Sequence, residues 1–293
     1  MAYINIIDNP LASLGFLTLI LAIISLWGFK RYWLWGSLVM LSVFFGYIST
    51  KLNVWAIAFI IALFCCHLFL KTQRRGYLRV FILALTSALS LILITHKFEA
   101  FSNLLIFKNV KLSAHSIPYS LYYNFDKPFI GIFPLALTIP LLRKKQIPRY
   151  FFTKTFIISL LGIALILVAA LKLNFIKFDP KLPLVAPLFI LANLFFVTIP
   201  EEAFFRGVLQ REIANYIGAK KGVWISILIV SIFFALLHIF FILSVKYVML
   251  VFLASIVYGT LYAITGAIES SIFCHFCVNI LHFFFFTYPA LSG

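Results

Sequence analysis

Negative charge is scarce in this sequence: eight Asp and Glu stand among 293 residues, against 24 Lys and Arg. Charged residues of both signs make up only 11% of the chain, apolar ones 64%, and the mean hydropathy is +1.10. A soluble domain cannot hide that much apolar surface. A closed β-barrel would need alternating polar and apolar positions. Here the apolar residues form solid runs of roughly 17–20, the length that carries a helix across a bilayer. No Gly/Ser-rich linker separates domains, and no repeat of fixed period points to a solenoid or a duplicated transporter. The four cysteines, Cys65, Cys66, Cys274 and Cys277, lie inside apolar runs, which does not fit a secreted disulfide framework. The zinc-peptidase pattern His-Glu-x-x-His and the Gly-x-Ser-x-Gly elbow are both missing. The net charge of +16 does not read as nucleic-acid binding. Its Lys and Arg are scattered through short loops, and clusters such as Lys71–Arg75 and Arg143–Lys145 fit topology signals and contacts to anionic lipid. Membrane lipids are therefore the expected partners, and nucleic acid is not.

What is present is a series of apolar runs. The expected fold class is all-α: a polytopic membrane protein with about ten transmembrane helices and a C-terminal helical core that carries an intramembrane active-site cavity. The spans fall near 11–29, 33–49, 54–70, 79–95, 128–142, 155–172, 184–200, 222–243, 247–265 and 267–287. The fifth is short and is interrupted by Pro128, Pro134 and Pro140. Met1–Asn9 carries no Lys or Arg and no evident cleavage site, so Leu11–Phe29 reads as a retained span and not a signal peptide. Counting ten spans, the denser Lys and Arg set includes Lys30, Arg31, Arg74, Arg75, Arg143, Lys144 and Lys145. That side is expected to be cytoplasmic, with both termini outside. The fifth span carries this orientation, because losing it reverses every later one. Residues 97–127, with Tyr119, Tyr122 and Tyr123, read as an interfacial loop bearing part of an aromatic belt, with turns at Ser116–Pro118 and Asn124–Lys127.

Polar residues inside these runs are the candidates for chemistry. Pro200-Glu201-Glu202-Ala203-Phe204-Phe205-Arg206-Gly207 places two of the eight acids side by side directly after an apolar run. An ionised carboxylate there is expensive and marks a functional site by default. Arg206 follows Glu202 at i+4 and can neutralise it, an ion pair that supports the site. Glu201 is left as the working carboxylate. His238, His275, Asn279 and His282 also lie in apolar runs, with His275 and Asn279 one turn apart on one helix face. If the helix carrying Glu201 turns at Gly218, Glu201 lies about 19 residues before Lys220 and His238 about 18 after it. At ~1.5 Å per residue they stand at nearly equal height. Such a Glu/His pair can take a proton from water, while His275 and Asn279 can donate to an oxyanion. Together these are the parts of an acyl-bond hydrolase. Singly, each has a plainer reading as helix–helix hydrogen bonding, and that is the reading for His67, His96, His115 and His282. Cys274-His275-Phe276-Cys277 looks like half a zinc motif, but buried cysteine commonly acts as a small apolar residue. A catalytic zinc on Glu201, His238 and His275 is the metal alternative, since two His and a Glu form a catalytic zinc set.

The three motifs Glu201-Glu202-x-x-x-Arg206, Phe234-x-x-x-His238 and His275-x-x-x-Asn279, in that order, resemble those of the CPBP (Abi) family of intramembrane proteases, which comprises CAAX prenyl proteases and bacteriocin-processing enzymes. Glu201–Gln210 (EEAFFRGVLQ) and Gly259–Gly266 (GTLYAITG) agree with it. The resemblance covers roughly residues 183–288. It implies an intramembrane endopeptidase in which Glu201 and His238 activate water, His275 and Asn279 stabilise the oxyanion, and Glu202 and Arg206 hold the site together. The family name often carries "metalloprotease", and these roles need no metal. The expected organisation is an N-terminal membrane segment over 1–127 of about four spans with no function assigned, intermediate spans over 128–182, and the catalytic core over 183–288. The expected partner is a peptide or protein substrate, membrane-bound or lipidated, and the expected setting is a bacterial plasma membrane. The alternative is a non-enzymatic multi-span protein, a transporter or a self-immunity or partner-binding protein, that keeps the motifs for structure.

Overall fold

The structure is a computed structural model and describes residues 9–28, 32–73, 76–142, 147 and 149–292. Lys30, Arg31, Arg74, Arg75, Arg143, Lys144 and Lys145, which carry much of the orientation argument, lie outside these residues. The chain runs through α1 (Pro10–Gly28), α2 (Tyr32–Ile48), α3 (Val54–Thr72) and α4 (Tyr77–Ile94). A hairpin of β1 (Leu104–Val110) and β2 (Tyr119–Tyr123) follows, and then α5 (Phe129–Leu137) and α6 (Phe151–Lys172). It ends with α7 (Ala186–Ile217), α8 (Ala219–Leu237), α9 (Val245–Thr265) and α10 (Ile268–Phe285). Among the described residues, eight of these helices, α1, α3, α4 and α6 to α10, are long and apolar enough to cross a membrane. The apolar helix α2 has 17 residues. The all-α polytopic membrane fold is therefore the observed one.

The expected fifth span is corrected. Residues 128–142 contain only the nine-residue helix α5. At about 1.5 Å per residue it reaches roughly 14 Å, half of a ~30 Å hydrocarbon core. Pro128 caps its start, Pro134 sits inside it, and the chain leaves helix after Leu137. A proline removes a backbone donor and crowds the preceding turn. The loop over 97–127 is also more structured than an interfacial turn. It pairs as a hairpin, and only Tyr122 of the three tyrosines is exposed. Burial pushes the Tyr119 and Tyr123 phenols up to about 12.

Helix ends follow local chemistry. Asn53 accepts from Trp55 N (2.9 Å) and Ala56 N (3.2 Å) at the start of α3. Gly218, at φ +70°, makes the break between α7 and α8 where the sequence places it, and Gly266, at φ +68°, ends α9. Hydroxyls inside spans bond to carbonyls, as Thr86 Oγ1 does to Ile82 O (2.7 Å).

The chain divides into two compact units. The first comprises 1–108, 120–140 and 194–204. Its core gathers Phe16 against Phe125 (4.8 Å between ring centroids), Phe196 (5.4 Å) and Tyr123 (5.5 Å). Ser42 Oγ donates to Gly15 O (2.7 Å) and ties α2 to α1. The second comprises 109–119, 141–193 and 205–293. In it, residues 285–291 lie alongside 175–181, with Asp179 N donating to Phe285 O (2.8 Å) and Thr287 N to Lys177 O (2.9 Å). Ile117 N donates to Ala290 O on the other side (3.0 Å). Tyr288 packs there on Phe189, Phe283 and Tyr119, and burial raises its phenol well above its ordinary value.

Candidate active site

The acidic pair sits in an unusual helix. α7 alternates α-turns with two π-helical stretches, Ala192–Thr198 and Ala203–Gln210, and between them lies the short α-segment Ile199–Glu202. A π-turn closes i to i+5 and recurs at functional sites. The two wide stretches thus bracket Pro200, Glu201 and Glu202.

In the first unit both carboxylates are buried, Glu201 at 3% and Glu202 at 0% exposure. Lys127 Nζ forms an ion pair with Glu201 Oε1, and Lys127 itself is only 2% exposed. Lys127 is not singled out by the sequence, where it counts as the last residue of the turn Asn124–Lys127. The turn that delivers it is held by buried polar groups. Lys127 N donates to Asp126 Oδ1 (2.7 Å), and the Asp126 carboxylate also accepts from His96 Nδ1 (2.8 Å) and Asn103 Nδ2 (3.4 Å). Phe125 N donates to Asn103 Oδ1 (2.9 Å). His96, expected to be structural, is so engaged. Gly131 of α5 lies against Pro200, where an added Cβ would stand 2.7 Å from Pro200 Cα. Only glycine allows this approach of α5 to the backbone that precedes Glu201.

In the second unit one ring gathers three of the candidate side chains. Phe234, 2% exposed, has Arg206 Cζ 5.4 Å from its centroid, His238 at 4.4 Å and His275 at 6.1 Å, edge to face. Phe205 packs on the same ring at 4.8 Å. Arg206 is fully buried and donates from Nη2 to Ser255 Oγ (2.8 Å). Gln210, one turn further, donates to Gly259 O (2.9 Å), and a Cβ at Gly259 would stand 2.8 Å from Gln210 Oε1. His238 closes α8. Its Nδ1 donates to Phe234 O (2.7 Å), which leaves the lone pair of the neutral ring on Nε2, the atom that can take up a proton. His275 is buried and stacked on Tyr258 at 4.6 Å and 15°. Asn279, the next turn of α10, donates from Nδ2 to Asn193 Oδ1 (3.3 Å). His282 Nε2 contacts Thr287 O (3.2 Å), the structural role expected of it.

Phe234, Ser255, Tyr258 and Asn193 were missed as site residues, apart from the appearance of Phe234 in the motif that names His238. An apolar or hydroxyl residue in an apolar run gives no signal until its neighbours are known. All four cysteines are free thiols. Among the described residues no group of three or more His, Cys, Asp and Glu side chains could hold a metal ion. The donor set of the zinc alternative divides between the units, Glu201 in the first and His238 and His275 in the second.

Fold and composition define an α-helical, multi-pass integral membrane protein. Residues 183–281 match the family model described as Rce1-like, type II CAAX prenyl endopeptidase. The match agrees with the resemblance carried by the three motifs, and at the level of the family it places this segment with CAAX-type intramembrane proteases. No curated protein and no solved structure is significantly similar to the chain.

Proposed function

We propose that this protein is an intramembrane endopeptidase in which His238 takes the proton of a water molecule while the Glu201 carboxylate stays ionised. The observation that carries this reading is the family match over 183–281, which contains Glu201, Glu202, Arg206, His238, His275 and Asn279. The tautomer of His238 suits the step: with Nδ1 engaged by Phe234 O, Nε2 receives the proton as the water oxygen attacks the scissile carbonyl. His275 and Asn279 donate to the resulting oxyanion, where fixed donors in a dry site act most strongly. Collapse of the intermediate breaks the C–N bond, and the proton on His238 passes to the leaving amine. Glu202 and Arg206 support the site. The substrate is a peptide or protein presented at the membrane. The family's name adds a prenylated C-terminal tail as the first class to test.

One observation favours the second reading, a membrane protein that keeps these residues for structure: Glu201 already holds an ion pair with Lys127. Comparative proteomics of N- and C-terminal peptides in cells carrying wild type or Glu201→Ala separates the two. An endopeptidase leaves new termini that vanish in the variant. Identical termini in both strains, with the protein present in the membrane, would falsify the assignment.

A further inference from the structure

We infer that Lys127 is a positioning residue for the Glu201 carboxylate, so that the working site extends beyond the segment that matches the protease family. The inference deepens the proposed function and rests on it for the reaction, but the ion pair stands without it. Lys127 lies 56 residues before the start of the matched segment, residues 183–281. Both side chains are almost fully excluded from solvent, at 3% and 4%. A buried charge is tolerated when it is paired and its other hydrogen-bonding capacity is met. Glu201 is a buried charge, and Lys127 supplies the cation that pairs with it.

The placement of Lys127 is itself built. Its backbone N–H is fixed by Asp126 Oδ1 (2.7 Å), and Asp126 is 1% exposed. His96 reaches the Asp126 carboxylate from the end of α4 (2.8 Å) and Asn103 from the start of the hairpin (3.4 Å). Asn124 Nδ2 donates to His96 Nε2 (3.3 Å). Pro128 and α5 follow at once, and Gly131 seats that helix on Pro200. Three segments distant in sequence thus converge to present one ammonium to one carboxylate. A lysine serving only as a topology signal needs none of this. For the reaction, the ammonium keeps Glu201 ionised and fixes which oxygen is held and which direction the other faces.

The test uses the full chain in detergent or liposomes: wild type, Lys127→Met, Glu201→Gln and the double variant. Thermal unfolding is read for all four, and kcat and KM on a cleaved peptide for wild type and Lys127→Met. The pair predicts that Lys127→Met lowers Tm by about 10 °C, because it strands a buried carboxylate, and that adding Glu201→Gln restores much of the loss. Positioning predicts that Lys127→Met lowers kcat at least about tenfold with KM within about twofold, the mark of an interaction made in the transition state. Additive stability changes overturn the pair. Coupled stabilities with kcat unchanged overturn its part in the reaction. Where Lys127→Met does not fold, Lys127→Gln carries the same readings. If wild type cleaves nothing, the protease reading fails while the stability cycle still decides whether the pair exists.

Discussion

The described interactions around the candidate side chains differ between the two units. In the first, Glu201 faces the Lys127 ammonium, and Asp126 gathers His96, Asn103 and the Lys127 backbone. In the second, the interactions resolved around Arg206, His238 and His275 are with a hydroxyl, a backbone carbonyl and aromatic faces, the Phe234 ring being common to all three. The difference has a chemical meaning. A carboxylate that must remain ionised in an apolar interior needs a full opposite charge. An imidazole that must pass a proton back and forth is better held by dipoles and ring packing, which favour neither form as strongly as a countercharge would.

Substitutions can break or sharpen this contrast. The largest effect is expected for Glu201→Gln, which keeps the shape and removes the charge: kcat/KM for peptide cleavage should fall about 10³-fold, the range for loss of a fixed charge that stabilises the transition state. Activity within a factor of ten of wild type would move the catalytic carboxylate elsewhere. Phe234→Ala should come next. It removes the shared ring and is expected to cost about 3 kcal/mol of stability, measured by unfolding in detergent, with loss of cleavage following from three displaced side chains. A stable, active Phe234→Ala protein would show that the ring is filler. His238→Ala and His275→Ala should each reduce kcat about 10²-fold with the fold intact by circular dichroism and Tm. Smallest are the two glycines, which test each unit's backbone. Gly131→Ala forces a methyl onto the Pro200 backbone and should destabilise by about 2 kcal/mol. Gly259→Ala meets the end of the Gln210 side chain, which can move, and should cost about 1 kcal/mol or less. Equal melting temperatures for the two variants would argue against a rigid seat under Glu201.

The sequence marked these features unevenly. The membrane class, most span positions and the turn at Gly218 follow from apolar run length and glycine chemistry, both local properties. Glu201, Glu202 and Arg206 are conspicuous because acids are rare and these lie next to an apolar run. Lys127 escapes notice for the converse reason: Lys is common here, and a single Lys in a loop reads as a topology signal until the chain is folded. The β-hairpin over Leu104–Tyr123 was hidden in a stretch too polar for a span and too irregular for clean alternation. The π-turns of α7 were invisible because hydrophobic spacing does not separate i+4 from i+5 closure over seven or eight residues. The equal-height estimate for Glu201 and His238 assumed a uniform α-rise, which α7 does not have.

Those wide turns set a helical phase. Each residue of an α-helix advances about 100° around the axis, so a stretch that closes every fifth residue delays the azimuth of everything beyond it. Arg206 and Gln210 lie in such a stretch, and both side chains are aimed at α9, at Ser255 and Gly259. Deleting a single residue between Ala203 and Gln210 would let the segment relax to ordinary α-closure, so the extra residue is what sets the angle at which these two side chains meet α9. Length at this point is therefore as strictly specified as residue identity, and an indel here would be more damaging than many substitutions.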